Sequence, residues 1–175
     1  MTDSVDVYLQ QWRTQRPDID PSPMGIIGRI SRAQLFLGRE LQKNFAAHGL
    51  QSYEFDILAT LRRSGPPFRL TAGDLVKTSM VTSGAITHRI DRLAAKELVT
   101  RETDPANRRS VLITLTDQGR RLVDDVVVHH VDREMQLLSG LDEDEREQLA
   151  ALLRKLLLGL GDTAPSVPPG AAPPA

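Results

Sequence analysis

Cysteine is missing altogether. Its absence removes disulfides, thiolate nucleophiles, zinc fingers and thiol-based peroxide sensors from consideration. No apolar run reaches the roughly eighteen residues that a membrane-spanning helix needs, and the N-terminal MTDSVDVYLQQW lacks the basic-then-apolar order of a secretory signal. The expectation is a cytoplasmic protein without membrane association. Also lacking are a Gly-rich phosphate loop, a nucleophile elbow and an inward-spaced pair of acids, and the lone GLG near the C-terminus is too short to stand for the first. An enzyme is not expected, and no cofactor is implied. Aromatic residues amount to only 4%, and Trp12 is the sole tryptophan.

What the chain does have is enough apolar material for one core. Of its 175 residues 40% are hydrophobic, which bounds it to one globular domain or two closely packed lobes. Its formal charge of −1 conceals a strong split. Residues 62–116 contain ten Lys/Arg against five Asp/Glu, residues 117–175 six against eleven, and residues 1–61 six against seven. A middle segment at +5 beside an end at −5 points to a polyanionic partner for the middle.

Periodicity makes most of the chain helix. SVDVYLQQW places Val5, Leu9 and Trp12 on one face of a short amphipathic helix, with Ser4 as the expected N-cap. RPDIDPSP breaks it. A long helix follows from Met24 to about His48, with Ile27, Ile30, Leu37 and Leu41 on one stripe and Gly49 as its C′ residue. Ser52 is expected to cap the next helix, YEFDILATLRR, which SGPP stops. Thr71 and Asp74 form a Thr-x-x-Asp capping arrangement for AGDLVKT. After TSM a further helix is expected from about Val81 to Lys96, and LVTRET and VLITL alternate as two strands around DPANRR. Thr116 and Asp117 open another helix. Asp142 with Glu145 caps the last one, whose Leu149, Leu152, Leu153, Leu156 and Leu160 form a stripe. The Ala/Pro-rich tail from Asp162 is expected to be disordered.

A short helix, a tight turn, a longer helix and a two-stranded hairpin make the order of a winged helix-turn-helix, whose second helix enters the DNA major groove. On that second helix Ile86, Ile90 and Leu93 fall within about 60° of one another and define the buried side. Gly84, His88, Asp91 and Arg92 then point away from it, with Ser83 and Thr87 on one flank. Among these, Ser83, Thr87, His88 and Arg92 are the side chains suited to base edges and phosphates. Arg108 and Arg109, at the hairpin tip, are of the kind drawn into a narrow minor groove. Each feature alone is more often just a solvated face or a soluble turn. Their order, inside the basic segment, is what favours DNA.

The span from about residue 50 to 120 resembles the MarR family of bacterial transcriptional regulators. The family's wing signature runs D-x-R-D-x-R, three residues, an aliphatic, any residue, then L-T-x-x-G. Asp104, Arg109, Ile113, Leu115, Thr116 and Gly119 match it, while Ala106 and Asn107 stand where the family often has Arg and Asp. SGAITHRIDRLAAKELV is similarly close to the family's recognition helix and the strand after it. The resemblance implies a mainly α fold with a winged helix-turn-helix over residues 50–116. Before it would lie an N-terminal helix and a first dimerisation helix (1–49), and after it C-terminal dimerisation helices (117–161) and a tail (162–175). It also implies an obligate homodimer on a pseudo-palindromic operator in double-stranded DNA.

One group within this family, the urate-responsive regulators, carries an extra N-terminal helix with a Trp, and a pocket that uses that Trp with an Asp and two Arg. Trp12, Asp56, Arg63 and Arg89 occupy the matching places, which implies a small organic anion such as urate as effector. Organic acids and phenols are alternatives to urate. On the helix YEFDILATLRR, Asp56, Thr60 and Arg63 share one stripe, and Arg89 falls on the half-buried shoulder of the recognition helix, off its groove-facing side. An anion competing with Asp56 for Arg63 and Arg89 would then shift the recognition helix and spoil the half-site spacing.

Two other classes compete with this assignment. A metal-responsive regulator would rest on Asp125 with His129 and His130 with Glu134, but these i, i+4 pairs face different sides and cannot converge within one helix, so no metal site is expected. A helical dimerisation module without DNA binding is the other. Binding to duplex DNA that weakens steeply with salt separates it from a regulator.

Overall fold

The structure is a computed structural model that describes residues 2–78 and 86–163. By packing, the chain divides into two compact units, residues 1–43 and 44–175. The expected tail from residue 164 onward and the first residues of the expected Val81–Lys96 helix lie outside the described residues.

In the first unit, α1 (Ser4–Gln15) packs on the N-terminal half of α2 (Ser22–Ala47). Asp3, not Ser4, is the N-cap of α1: its carboxylate accepts from the N–H groups of Val5 and Asp6, and the Asp6 carboxylate accepts from the Asp3 N–H. A charged acceptor complements the positive end of the helix better than a hydroxyl does, so the boundary sits one residue earlier than expected. Val5 and Leu9 are buried against two glycines of α2. A Cβ at Gly25 would meet Leu9 at 3.1 Å and one at Gly28 would meet Val5 at 3.4 Å, so larger residues would hold the helices apart. Arg29 bridges the rim of this contact, 2.6 Å from Asp6 and 2.9 Å from Asp3. Donation from the Asp6 N–H and from Arg29 holds the Asp3 carboxyl below the usual carboxylate range.

The end of α2 belongs to the second unit. Gly49, at φ +70°, closes it as the sequence indicates, with the Leu50 N–H on the Phe45 carbonyl and the Gly49 N–H on Ala46. There follow α3 (Ser52–Arg63), β1 (Arg69–Thr71), α4 (Ala72–Thr78), α5 (Ile86–Ala95), β2 (Val99–Asp104), β3 (Asn107–Leu115), α6 (Asp117–Leu137) and α7 (Glu143–Gly159). Gln51 takes the N-cap place of α3 in lieu of Ser52, because Glu54 reaches back to accept the Gln51 N–H at 2.8 Å. Thr71, Thr116 and Asp142 cap their helices as expected.

The single hairpin read from the sequence is a three-stranded antiparallel sheet in the order β1-β3-β2. The strand that was missed, β1, pairs Leu70 with Ile113 and is three residues long, too short for a period-two pattern to register. Asp104 pairs with Asn107, so the tip is Pro105-Ala106, and Arg108 and Arg109 lie on β3 itself. Ile57, Leu58, Leu61, Leu75, Leu93 and Ile113 are fully closed to solvent and join α3, α4, α5 and the sheet into one core. Each such side chain contributes about 1.5–3 kcal/mol by leaving water.

Two features stand outside that core. Phe45 stacks on Phe55 with centroids 4.5 Å apart, and His130 of α6 lies against both rings. The last helix, α7, has no buried residue, although Leu149, Leu152, Leu153, Leu156, Leu157 and Leu158 sit on it and Leu160 caps its end. Among the described residues no helix is long and apolar enough to cross a membrane.

Candidate functional site

The geometry of α5 follows from its burial. Ile90 and Leu93 face the core and Ile86 is half-buried, which turns Thr87, His88, Asp91 and Arg92 to solvent as the helical wheel requires. Ser83 and Gly84 lie outside the described residues. Several polar contacts hold the helix in place. Lys96, just past its end, pairs at 2.7 Å with the Glu54 carboxylate, which is only 1% exposed, and also donates to the Gly49 carbonyl. Asp91 pairs with Arg101 of β2. Arg92 donates to the Tyr53 hydroxyl at 3.2 Å, so this side chain is tethered as well as exposed. The helix ends with the Leu98 N–H on the Leu93 carbonyl and the Glu97 N–H on Ala94, which puts Glu97 at φ +58° where glycine is the usual occupant.

The wing is braced at its tip. Asp104 accepts the Ala106 N–H at 2.9 Å and Asn107 accepts the Arg109 N–H at 3.1 Å. These local bonds fix the backbone and leave the Arg108 and Arg109 side chains exposed. Asn107, a departure from the expected wing pattern, therefore has a structural use of its own.

The expected ligand residues fall in both units. Trp12 lies on α1 with 43% of its surface exposed. Asp56, Arg63 and Arg89 belong to the second unit. Arg89 places its guanidinium 4.9 Å from the ring centre of Tyr53, near the start of α3, and its Nη1 is buried without a hydrogen-bond partner. Arg63, at the other end of α3, donates from Nη2 to the Thr78 carbonyl at 2.6 Å. Ten residues of helix separate Tyr53 from Arg63, about 15 Å of axial rise. The two guanidinium groups are thus engaged at opposite ends of α3, with half-buried Asp56 and buried Thr60 between them.

With these features in place the chain can be set beside known proteins. A model of the MarR family matches residues 50–111. The HTH-type transcriptional regulator PecS of Dickeya dadantii is 43% identical over 152 residues, covering 87% of this chain and 92% of PecS. The chain belongs to the MarR family. The MarR-family fold is also seen in Sco3205 of Streptomyces coelicolor, solved in complex with DNA, at a TM-score of 0.74 and 22% identity over 86% of this chain and 94% of that one. BpsR of Bordetella bronchiseptica, whose DNA binding is regulated by 6-hydroxynicotinic acid, superposes with a TM-score of 0.68 at 30% identity, over 78% and 93% of the two chains. Within a MarR-family chain, α4 and α5 form the helix-turn-helix and β2 and β3 the wing. This is a DNA-binding transcriptional regulator, and its relatives are regulators, not enzymes.

Two residues of this MarR-family domain escaped the sequence reading. Tyr53 touches both Arg89 and Arg92, and nothing in helical periodicity singles out a half-buried tyrosine at the second position of a helix. His48, at the end of α2, stacks on His129 of α6 with ring centroids 5.2 Å apart. The Asp125/His129 pair, insufficient within its own helix, acquires a third candidate ligand in this way.

Proposed function

We propose that this MarR-family regulator is a cytoplasmic homodimeric repressor that binds a pseudo-palindromic operator and is released by a small planar organic anion, with urate as the first candidate. The dimer reading is supported by α7. A helix whose six leucines, with the C-cap Leu160, are exposed and find no core among the described residues calls for a second chain to cover them, and the exposed Val127, Val131 and Met135 of α6 add to the apolar surface. In this reading residues 50–116 are the DNA-binding domain between dimerisation helices. Ser83, Thr87, His88 and Arg92 face the major groove, and Arg108 and Arg109 reach the minor groove.

The effector reading rests on one observation, the buried and unpartnered Nη1 of Arg89. A guanidinium N–H shut away from water and left unpaired costs on the order of 1–3 kcal/mol, and an anion supplies the missing acceptor. A planar, delocalised anion also suits the fork geometry of arginine and the ring faces of Tyr53 and Trp12. BpsR, regulated by a heteroaromatic acid, is a relative with an effector of that class. On this view the anion engages Arg89 beside Tyr53, while Arg63, Asp56 and Trp12 stay expected ligand residues whose part the titration below tests. Tyr53, touching Arg89 and Arg92 together, is the shortest route from the effector to the groove-facing side.

The test is operator binding by the purified chain, followed by fluorescence anisotropy on duplex DNA from upstream of its own coding sequence at two salt concentrations. Urate, 6-hydroxynicotinate and a phenol are then titrated while Trp12 fluorescence is recorded. A coupling of about 1–3 kcal/mol weakens the operator complex roughly 5- to 150-fold. Arg89→Ala should bind DNA and ignore the anion. A monomeric protein, indifference to duplex DNA in dilute buffer, or an Arg89→Ala variant that releases DNA normally would each count against the proposal.

A further inference from the structure

We propose that His48, Asp125 and His129 form a binding site for a divalent transition-metal ion of the zinc class, joining the end of α2 to α6. One ligand atom from each of the three side chains lies within 4.8 Å of the others, and all three residues belong to the same compact unit. The His129 Nε2 stands 3.9 Å from the Asp125 Oδ1. In a tetrahedral zinc site with bonds of about 2.0–2.2 Å, the ligand atoms are about 3.4 Å apart. The contraction required is about an ångström, within reach of χ rotations in side chains that are more than half exposed at Asp125 and His129.

Geometry favours His48 as a ligand. Its Nδ1 lies 2.9 Å from the Asn44 carbonyl oxygen, which can only accept, so a neutral His48 ring donating there presents Nε2 as its metal-binding atom. A backbone carbonyl holding the far nitrogen of a metal-binding histidine is the usual way in which such a ring is oriented. The two imidazoles already stack at an interplanar angle of 29°, and a shared ion would hold neighbouring rings in that arrangement.

The donor set decides the ion. Two neutral nitrogens and one carboxylate suit Zn²⁺, Ni²⁺, Co²⁺ and Cu²⁺, whereas Mg²⁺ and Ca²⁺ prefer oxygen alone. Three protein ligands leave a fourth position for water. The sequence separates His48 from Asp125 by 77 positions, so only the packing of the α2 end against α6 reveals the cluster.

Purified full-length protein, stripped with a chelator and freed of any affinity tag, is titrated with Co²⁺ for visible d–d bands. Zn²⁺ affinity is measured by competition with a chromophoric chelator, both without DNA, so the outcome is independent of operator binding. One ion per chain is expected, with no response to Mg²⁺. At about a hundredfold excess over Kd, Zn²⁺ should raise the unfolding midpoint by about 5–10 °C. His48→Ala and His129→Ala should each weaken Zn²⁺ at least about tenfold while their metal-free melting curves overlay the wild type. Absence of cobalt bands, or zinc binding that both variants retain unchanged, overturns the proposal. A variant whose metal-free melt is shifted is replaced by Asp125→Asn, which keeps the side-chain volume and must lose affinity if the site is real.

Discussion

Gly119→Ala should destabilise the protein although it replaces a helical glycine by the best helix former. Gly119 is the third residue of α6, and its N–H is held at 2.9 Å by the capping hydroxyl of Thr116. A Cβ there would sit 2.1 Å from the Leu98 carbonyl oxygen, 3.0 Å from its carbon and 3.1 Å from a Leu115 methyl. That carbonyl cannot step aside, because it accepts both the N–H and the hydroxyl of Thr116, each at 3.1 Å. The start of α6 must therefore retreat by about an ångström, which forces overpacking of about 1–3 kcal/mol and loosens a cap worth about 1 kcal/mol. Against this, alanine gains at most about 1 kcal/mol of helix propensity. The net loss is about 1–3 kcal/mol, or roughly 2–12 °C in the unfolding midpoint for a chain of this size. Gly73→Ala is the control in the same unit, since its nearest neighbour would be the Thr71 hydroxyl at an ordinary 3.7 Å, and it should be neutral or stabilising by up to about 1 kcal/mol. Urea denaturation followed by far-UV circular dichroism reads both. A Gly119→Ala protein as stable as the parent would refute the close approach of α6 to Leu98, just before β2.

Lys96→Ala leaves the Glu54 carboxylate buried with little beyond a backbone N–H, and a loss of about 2–3 kcal/mol is expected, at or below the low end for a broken buried pair because the lysine is 40% exposed; the double variant Glu54→Gln/Lys96→Met should recover much of it in the same denaturation assay. Glu97→Gly relieves an L-residue held at φ +58°, and a gain of up to about 1 kcal/mol is expected in the same denaturation assay, because the Thr116 hydroxyl, its side-chain partner among the described residues, uses the Glu97 backbone. Arg108→Ala and Arg109→Ala should each weaken operator and random duplex alike and lower the slope of log K against log salt by about 1 if that side chain contacts a phosphate; an unchanged slope removes that arginine from the interface. Asp3 has a folded-state pKa below its unfolded value of about 3.9, so its contribution is present above that value and fades as pH falls through the lower folded one. Trp12 fluorescence from pH 6 to 2 should show α1 loosening in that acid window, a limb that Asp3→Asn flattens; identical curves would sink the Asp3 clamp.

The elements that could be read from the sequence are those closed by bonds within a turn or two. Thr116 to Gly119, Thr71 to Asp74 and Asp142 to Glu145 are contacts over three residues, and Gly49 satisfies its own backbone demand, so each boundary was visible in a short window. Where two neighbours qualified as caps, the window failed. Asp3 displaced Ser4, and Gln51 displaced Ser52 through the backward reach of Glu54. Glu97 shows the converse, an L-residue in a glycine position that no composition rule would pick, tolerated because Thr116 and the β2 start fix the carbonyls around it. The strand β1 was invisible because its evidence is a partner 43 residues away.

Helical periodicity settles the angle at which a side chain leaves its helix but not which level of a neighbouring helix it meets. That is why Arg89 and Arg92 could be sorted by azimuth into an inner and an outer arginine, while their common neighbour Tyr53 could not be foreseen. The leucines of α7 pose the same problem on a larger scale, for the stripe was legible and its destination was not. A covered helix would have consumed those side chains in the core of its own chain. Their exposure instead transfers the question to assembly: in the homodimer proposed above, the spacing of the two recognition helices, and with it that of the operator half-sites, would be decided by how α7 and α6 meet a second copy.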